Sequence, residues 1–408
     1  MKLFVKEFLL YQKPDASNIY KTKPFKIPNN GPTNRKHCKS TNYPPYKNHL
    51  SWIDLIRFLA AFAVLACHFR GAFFVDFGSL PTNQQTIPIF AFFASTRLGH
   101  EAVLIFFILS GFLVGGKSIE RILNKTFKPL DYSIDRTVRI MLPLLSSLIL
   151  FIPICLYTGI PIDLKIWLGN ILSLQGITCP PIFETLWSLS YEVWFYILMC
   201  AVGYSILNKG KTKIYIGILT LIISFAAFMK LQTYFLFIWL IGAFGYFTIP
   251  IKSNALKYAA LFMSCIFLCI LQLSSEGGKT VPLLREFRLF SELIFSSAFC
   301  LLMVQLVQDI PSNKFSIKLN YIGTKLAAFS YTLYLTHIPV RDILVYLGAP
   351  KSSEINIYTI SLYIMWLLLA LLIAYGIYWI FERNTSTVKS FIKAKITHEN
   401  LNSNCNLQ

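Results

Sequence analysis

Arg57 and His68 are eleven residues apart inside an apolar run that begins SWIDLIRFLAAFAVLACHFR. On an α-helix that interval is about 1,100° of rotation, within roughly 20° of three full turns, and a rise of about 16 Å. A guanidinium and an imidazole therefore leave one helix face at different depths, with Asp54 one turn ahead of the arginine. Imidazole ordinarily titrates near neutrality, so it can accept a hydroxyl proton and return it. Further polar groups sit in other apolar runs. Glu192 lies in TLWSLSYEVWFYILM, and FSYTLYLTHIPV places Ser330, Tyr334 and His337 at i, i+4 and i+7, one stripe on a helix face. Arg136 and Arg139 stand three residues apart just before another run, with Pro143 beyond them; two guanidinium groups on one edge can grip phosphate. Plain readings stand beside these: a snorkelling arginine, a histidine satisfied by a neighbouring helix, an interhelix hydrogen-bond ladder, a basic anchor. Ser110 and Gly111 in LIFFILSGFLVGG suit close helix packing as well as close approach of a ligand.

The elements that must carry these groups are membrane helices. The 408-residue chain is 55% hydrophobic and 14% charged, against roughly 25% charged in soluble domains. Apolar runs near twenty residues recur from Trp52 to the mid-380s. We expect an all-α polytopic membrane protein with about ten transmembrane helices, near 52–74, 98–116, 140–158, 185–207, 213–230, 232–249, 256–273, 290–308, 326–347 and 357–381. Its formal charge of +19 collects in alternate connecting segments and both ends, which is the positive-inside pattern and removes any need for nucleic acid. That pattern puts both termini in the cytoplasm. Residues 1–50 read as a flexible basic cytoplasmic leader rich in proline, 51–382 as the membrane domain, and 383–408 as a short cytoplasmic tail. The nine cysteines form no CxxC and no Cys/His spacing of a zinc site, so no metal is implied.

Taken together, these blocks resemble the acyltransferase 3 family of integral membrane acyltransferases, from about Leu50 to Glu382. Arg57 and His68 match its Arg-x10-His signature. IFFILSGFL is similar to the Phe-Phe-x-x-Ser-Gly-Phe block through Phe106, Phe107, Ser110, Gly111 and Phe112. RTVRIMLP resembles Arg-x-x-Arg-x-x-x-Pro, and WSLSYEVWFY matches Trp-Ser-Leu-x-x-Glu-x-x-Phe-Tyr at Trp187, Ser188, Leu189, Glu192, Phe195 and Tyr196. SYTLYLTH resembles the late block carrying Ser330, Tyr331, Tyr334 and His337. One departure is visible: where the family often has Glu-Arg-Pro after the last span, this chain reads FERNT, with Asn384 in the proline's place.

The resemblance implies transfer of an acyl group, commonly acetyl from acetyl-CoA, to a hydroxyl of a cell-envelope carbohydrate such as lipopolysaccharide O-antigen, an exopolysaccharide or a glycolipid. It implies no permanently bound cofactor, an inner-membrane location among lipids, and a stand-alone enzyme without an appended hydrolase-like domain. In that frame Arg136 and Arg139, joined by Arg57, hold the nucleotide end of acyl-CoA, and Ser110 lies along the donor path. His68 is the expected base. Glu192 either orients His68 or holds the acceptor, and both roles stay open. His337 is a second acid/base candidate, with Tyr334 as hydrogen-bond donor, while Asp54, Trp187, Tyr196, Ser330 and Tyr331 line or support the site. The rival reading is a transporter or flippase for a lipid-linked glycan, which would also need intramembrane charge; a non-catalytic scaffold is the third.

Overall fold

A computed structural model describes residues 51–208, 210–251, 253–274, 286–307 and 311–405; the expected leader lies outside the described residues. The described chain is helical, with only the isolated β-bridges Phe74–Ser352 and Gln175–Cys179. Helix α1 runs Ser51–Phe73 and carries both Arg57 and His68. Next comes a broken apolar stretch: α2 Ile87–Ser95, α3 Gly99–Ser110, a π-helical segment Gly111–Gly116, and α4 Lys117–Leu123. Helix α5 spans Pro129–Thr158. Its thirty residues rise about 45 Å where ~30 Å of hydrocarbon suffices, and its charged residues, Asp131, Asp135, Arg136 and Arg139, all lie in its first three turns.

The remaining elements are α6 Leu164–Ile171, α7 Leu186–Leu207, α8 Lys211–Lys230, α9 Tyr234–Gly245, α10 Asn254–Ser274 and α11 Arg288–Val307. After them come α12 Lys314–Ala327, α13 Ser330–Tyr346, α14 Ile357–Ile380 and α15 Thr385–Cys405. The protein is an all-α polytopic membrane protein. Eight helices among the described residues are long and apolar enough to cross a bilayer, against the ten expected. Two expected spans account for the difference. Helix α9 has 12 residues and rises only about 18 Å. Helix α13 has 17 residues and contains Pro339, because the chain breaks after Ala327 and restarts at Ser330. Both are largely buried, and a helix enclosed by protein need not reach both lipid surfaces unaided.

Helix α1 packs against α3, α12 and α13, and α13 also contacts α5 and α14, so α1 and α13 form the middle of the bundle. The short α9 fits because glycine lets backbones touch. A Cβ on Gly111 would stand 2.0 Å from the Trp239 carbonyl oxygen, and one on Gly242 would stand 2.2 Å from that of Ile108. This reciprocal contact brings α3 and the π segment against α9 as small-residue crossings do in membranes. The tail forms a helix through Cys405. On α15, Lys389 pairs with Asp135 at 2.7 Å and Lys393 with Asp131 at 2.9 Å, so two lysines one turn apart clamp two aspartates one turn apart on α5. Asn384 supports the bend before it by donating Nδ2–H to the Ile380 carbonyl at 2.8 Å, while its own amide N–H, which a proline would lack, donates to Phe381 at 3.1 Å.

Gly111→Ala is expected to destabilise the detergent-solubilised protein by about 1–3 kcal/mol through backbone overlap. Gly71→Ala, where a Cβ meets nothing within 4 Å, should instead gain about 0.5–1 kcal/mol of helix stability. Thermal unfolding of the two variants beside the wild type tests the contrast.

Candidate active site

Inside the bundle, α1, α3, α4, α5, α7 and α13 enclose a cavity of about 280 Å³. Its wall takes Arg57 from α1, Ser110 from α3, Lys117 and Arg121 from α4, and Asp135, Arg136 and Arg139 from α5. Helix α7 adds Ser188, Glu192 and Tyr196, and α13 adds Ser330, Tyr331 and Tyr334. Cations therefore outnumber carboxylates at one end. Arg57 pairs with Asp54 at 3.2 Å, and Asp135 is taken up by Lys389. Among the described residues no carboxylate lies within ion-pair distance of Arg136 or Arg139. Arg136 rests instead over the rings of Tyr132 and Tyr196, 5.9 and 5.6 Å from their centroids. Such an end attracts a polyanion.

At the other end a polar path leaves the cavity along α13. Tyr334 and Ser188 share a hydrogen bond of 2.6 Å between their hydroxyls, and the Tyr334 ring lies 5.9 Å from that of His337. The His337 imidazole is 1% exposed. Its Nδ1 lies 3.2 Å from the Leu333 carbonyl, which only accepts, so the neutral ring carries its proton there and Nε2 keeps a lone pair. That Nε2 is buried and has no partner among the described residues. Next along is His68, 5.3 Å from His337 between ring centroids. Its Nδ1 is 3.5 Å from Glu184 Oε1, and Glu184 Oε2 accepts from Arg341 at 2.8 Å. Arg341 also donates Nε–H to Asp342 at 2.7 Å.

Glu184 is held by a loop whose shape is fixed from beneath. Fully buried Asn170 donates to the Pro180 carbonyl at 2.9 Å and accepts from the Ile182 amide at 3.1 Å. Gln175, equally buried, donates to the Leu186 carbonyl at 2.8 Å. Ser190 and the Trp194 indole both donate to the carbonyl of Ser173, itself in the left-handed region at φ 57°. The chain thus reaches α7 in one conformation, with Phe183 buried and Glu184 turned to the surface. The His68 imidazole, with Arg341 behind it, holds the Glu184 carboxyl down at about 2.

The carboxylate beside His68 is that of Glu184, not Glu192. Helix α7 runs antiparallel to α1, and Glu192 stands six residues into it, roughly 9 Å towards the Arg57 end. There it lines the cavity and accepts a 2.5 Å hydrogen bond from the Tyr196 hydroxyl. Ser110 reaches the cavity wall and accepts from the Trp239 indole at 3.3 Å, while Gly111 serves packing. Tyr331 turns a hydroxyl without a partner among the described residues into the same space. Ser330 spends its hydroxyl on the Ala327 carbonyl at 2.9 Å. Trp187 stands outside the cavity wall, packed with Phe107, Tyr191 and Phe235. The sequence reading missed Glu184, Arg341, Lys117 and Arg121. An acid at the margin of a span, in a chain with only 19 acids to 38 bases, was the available signal for Glu184.

A family model described as an acyltransferase domain, the acyltransferase 3 model, matches residues 50–383. No curated protein and no solved structure matches the chain.

The Glu184 pairing sets a pH dependence whose sign is fixed. The folded-state value lies below the ordinary carboxylate value of about 4.3, so the stabilisation is full above that value and is lost as pH falls through about 2. Glu184→Gln should therefore melt below the wild type at neutral pH, and the gap should close in strong acid. Thermal unfolding of both proteins along a pH series is the measurement.

Proposed function

The chain belongs to the acyltransferase 3 family and is a membrane acyltransferase, and from that premise we propose that it moves an acetyl group from acetyl-CoA to a hydroxyl of a cell-envelope carbohydrate. The observation that carries this reading is a row of polar groups with unlike ends: clustered cations at one, of which Arg136 and Arg139 have no carboxylate within ion-pair distance among the described residues, and an imidazole beside a carboxylate at the other. Arg136 and Arg139 meet the phosphates of the nucleotide, with Arg57, Lys117 and Arg121 around them. The thioester arm follows the cavity past Ser110 and Glu192 towards Ser188 and Tyr334. By the positive-inside pattern the cationic end faces the cytoplasm, where acyl-CoA is made, in the inner membrane with both termini inside. The His68 end faces outward, where the carbohydrate acceptor lies.

The transfer balances without an outside reagent. Glu184 holds the Nδ1–H of His68, which leaves Nε2 to take the acceptor hydroxyl's proton. The acceptor oxygen forms a bond to the thioester carbonyl carbon, the carbon–sulfur bond breaks, and the proton goes to the departing thiolate. Tyr334 donates a hydrogen bond within this space, and the Nε2 of His337 supplies a second proton acceptor beside His68. Asp54 positions Arg57 for its part.

Mass spectrometry of envelope polysaccharide and lipid, from cells with and without the gene, should show a difference of one acetyl unit. Purified protein should bind acetyl-CoA, which a glycan transporter would not. His68→Ala should lower kcat by about 10²–10⁴; a well-folded variant that transfers at the wild-type rate rejects the base assignment. Arg136→Gln and Arg139→Gln should each raise KM for acetyl-CoA about 10- to 100-fold, the loss of a charge-assisted contact. Glu184→Gln should lower kcat with KM for the donor unchanged, and Glu184→Asp should restore part of it.

A further inference from the structure

A second cavity of about 290 Å³ lies between α5, α7 and α8 and shares Tyr132, Arg136 and Tyr196 with the first. Arg136 lies part-way along it, over the Tyr196 ring. Beside it the wall carries the hydroxyl side chains of Ser133 and Thr137, and the apolar side chains of Ile140, Met141, Val193 and Ile197. From Tyr204 to Val193 is eleven residues of α7, a length of about 16 Å, so the groove is long enough for a phosphate and the first stretch of an acyl chain. On its α8 wall Ile216 is 51% exposed.

Arg136 supplies the charge that this groove lacks elsewhere. Its Nε is buried and unbonded, its contacts are two aromatic faces, and no carboxylate neutralises it among the described residues. A guanidinium in that state calls for an anion. Lys211 and Lys213, at the start of α8, draw anionic headgroups to this surface. We propose that the groove is a site for one anionic phospholipid, its phosphate on Arg136 and one acyl chain along Ile140, Met141, Val193 and Ile197. Because Arg136 belongs to both cavities, the lipid phosphate and an acyl-CoA phosphate compete for it. That consequence rests on the transferase reading; the lipid site itself does not.

The test uses the full chain purified in mild detergent, examined by native mass spectrometry and lipid extraction, and reconstituted into nanodiscs of phosphatidylglycerol or phosphatidylcholine. The wild type should keep a phosphatidylglycerol adduct through detergent exchange and keep no phosphatidylcholine. Ile197→Trp, which fills the groove, should lose the adduct, as should Arg136→Gln. Ile216→Trp, at an exposed position that removes no core packing, should lose it too and guards against misfolding of the first variant. Retention of the adduct in both Trp variants, equal retention of phosphatidylcholine, or no adduct in the wild type would each overturn the assignment. A lipid-free wild type that binds inorganic phosphate through Arg136 would mark a free-anion site instead. None of these readouts needs turnover, so they separate from any failure of acetyl transfer; with transfer intact, phosphatidylglycerol should raise KM for acetyl-CoA relative to phosphatidylcholine.

Discussion

Charge within a bilayer has to be enclosed by protein or water, and α1 meets that constraint for two groups at once. Arg57 and His68 share a helix face, so the elements that cover one are committed to covering the other. Helix α13 lies against that face and presents Tyr334 and His337, and α7 arrives antiparallel with Glu184 level with the imidazole. The result is a row of polar groups that changes character along its length, from a cationic cavity to a partly exposed imidazole and carboxylate. Guanidinium groups face a cavity at one end, and at the other an imidazole faces a carboxylate that is itself held by Arg341.

The cavity exists because its walls are kept apart on one side by being forced together on another. Gly111 and Gly242 bring the α3 and α9 backbones into contact, and Gly115 and Gly116 bring the π segment against the Trp239 and Tyr246 side chains. Tyr246 then donates its hydroxyl to Glu120 at 2.6 Å. The wider π turn re-aims the chain between Ser110, on the cavity wall, and Lys117 and Arg121, which reach the same cavity from the next helix. A tighter helix through Gly111–Gly116 would turn these residues to other faces.

Much of this was written in helical periodicity. The face shared by Arg57 and His68 follows from eleven residues at 3.6 per turn, and the basic edge of Arg136 and Arg139 from a three-residue interval. What the pattern left out depends on groups distant in sequence. Glu184 is aimed by Asn170 and Gln175 through bonds to carbonyls ten or eleven residues away, and a loop of that kind has no period. Lys117 and Arg121 look like any anchor of a basic loop until the π segment turns them inward. Hydropathy gave α9 and α13 the length of full spans because it counts apolar residues and does not see where a helix breaks, before Tyr234 and after Gly245 or between Ala327 and Ser330. The helix in the short polar tail carries no apolar period to announce it, and its partners, Asp131 and Asp135, lie some 250 residues earlier in the chain.

That tail has a consequence for the cationic cavity. Asp135 sits next in sequence to Arg136 and one turn from Arg139, and it lines the same space. Lys389 and Lys393 occupy its carboxylate from the far side, so the last helix acts as a counter-ion that keeps an internal anion from quenching the arginines. Cut at Arg383, the chain would leave the Asp135 carboxylate without its lysines, an anion built into the wall beside the arginines and always at hand.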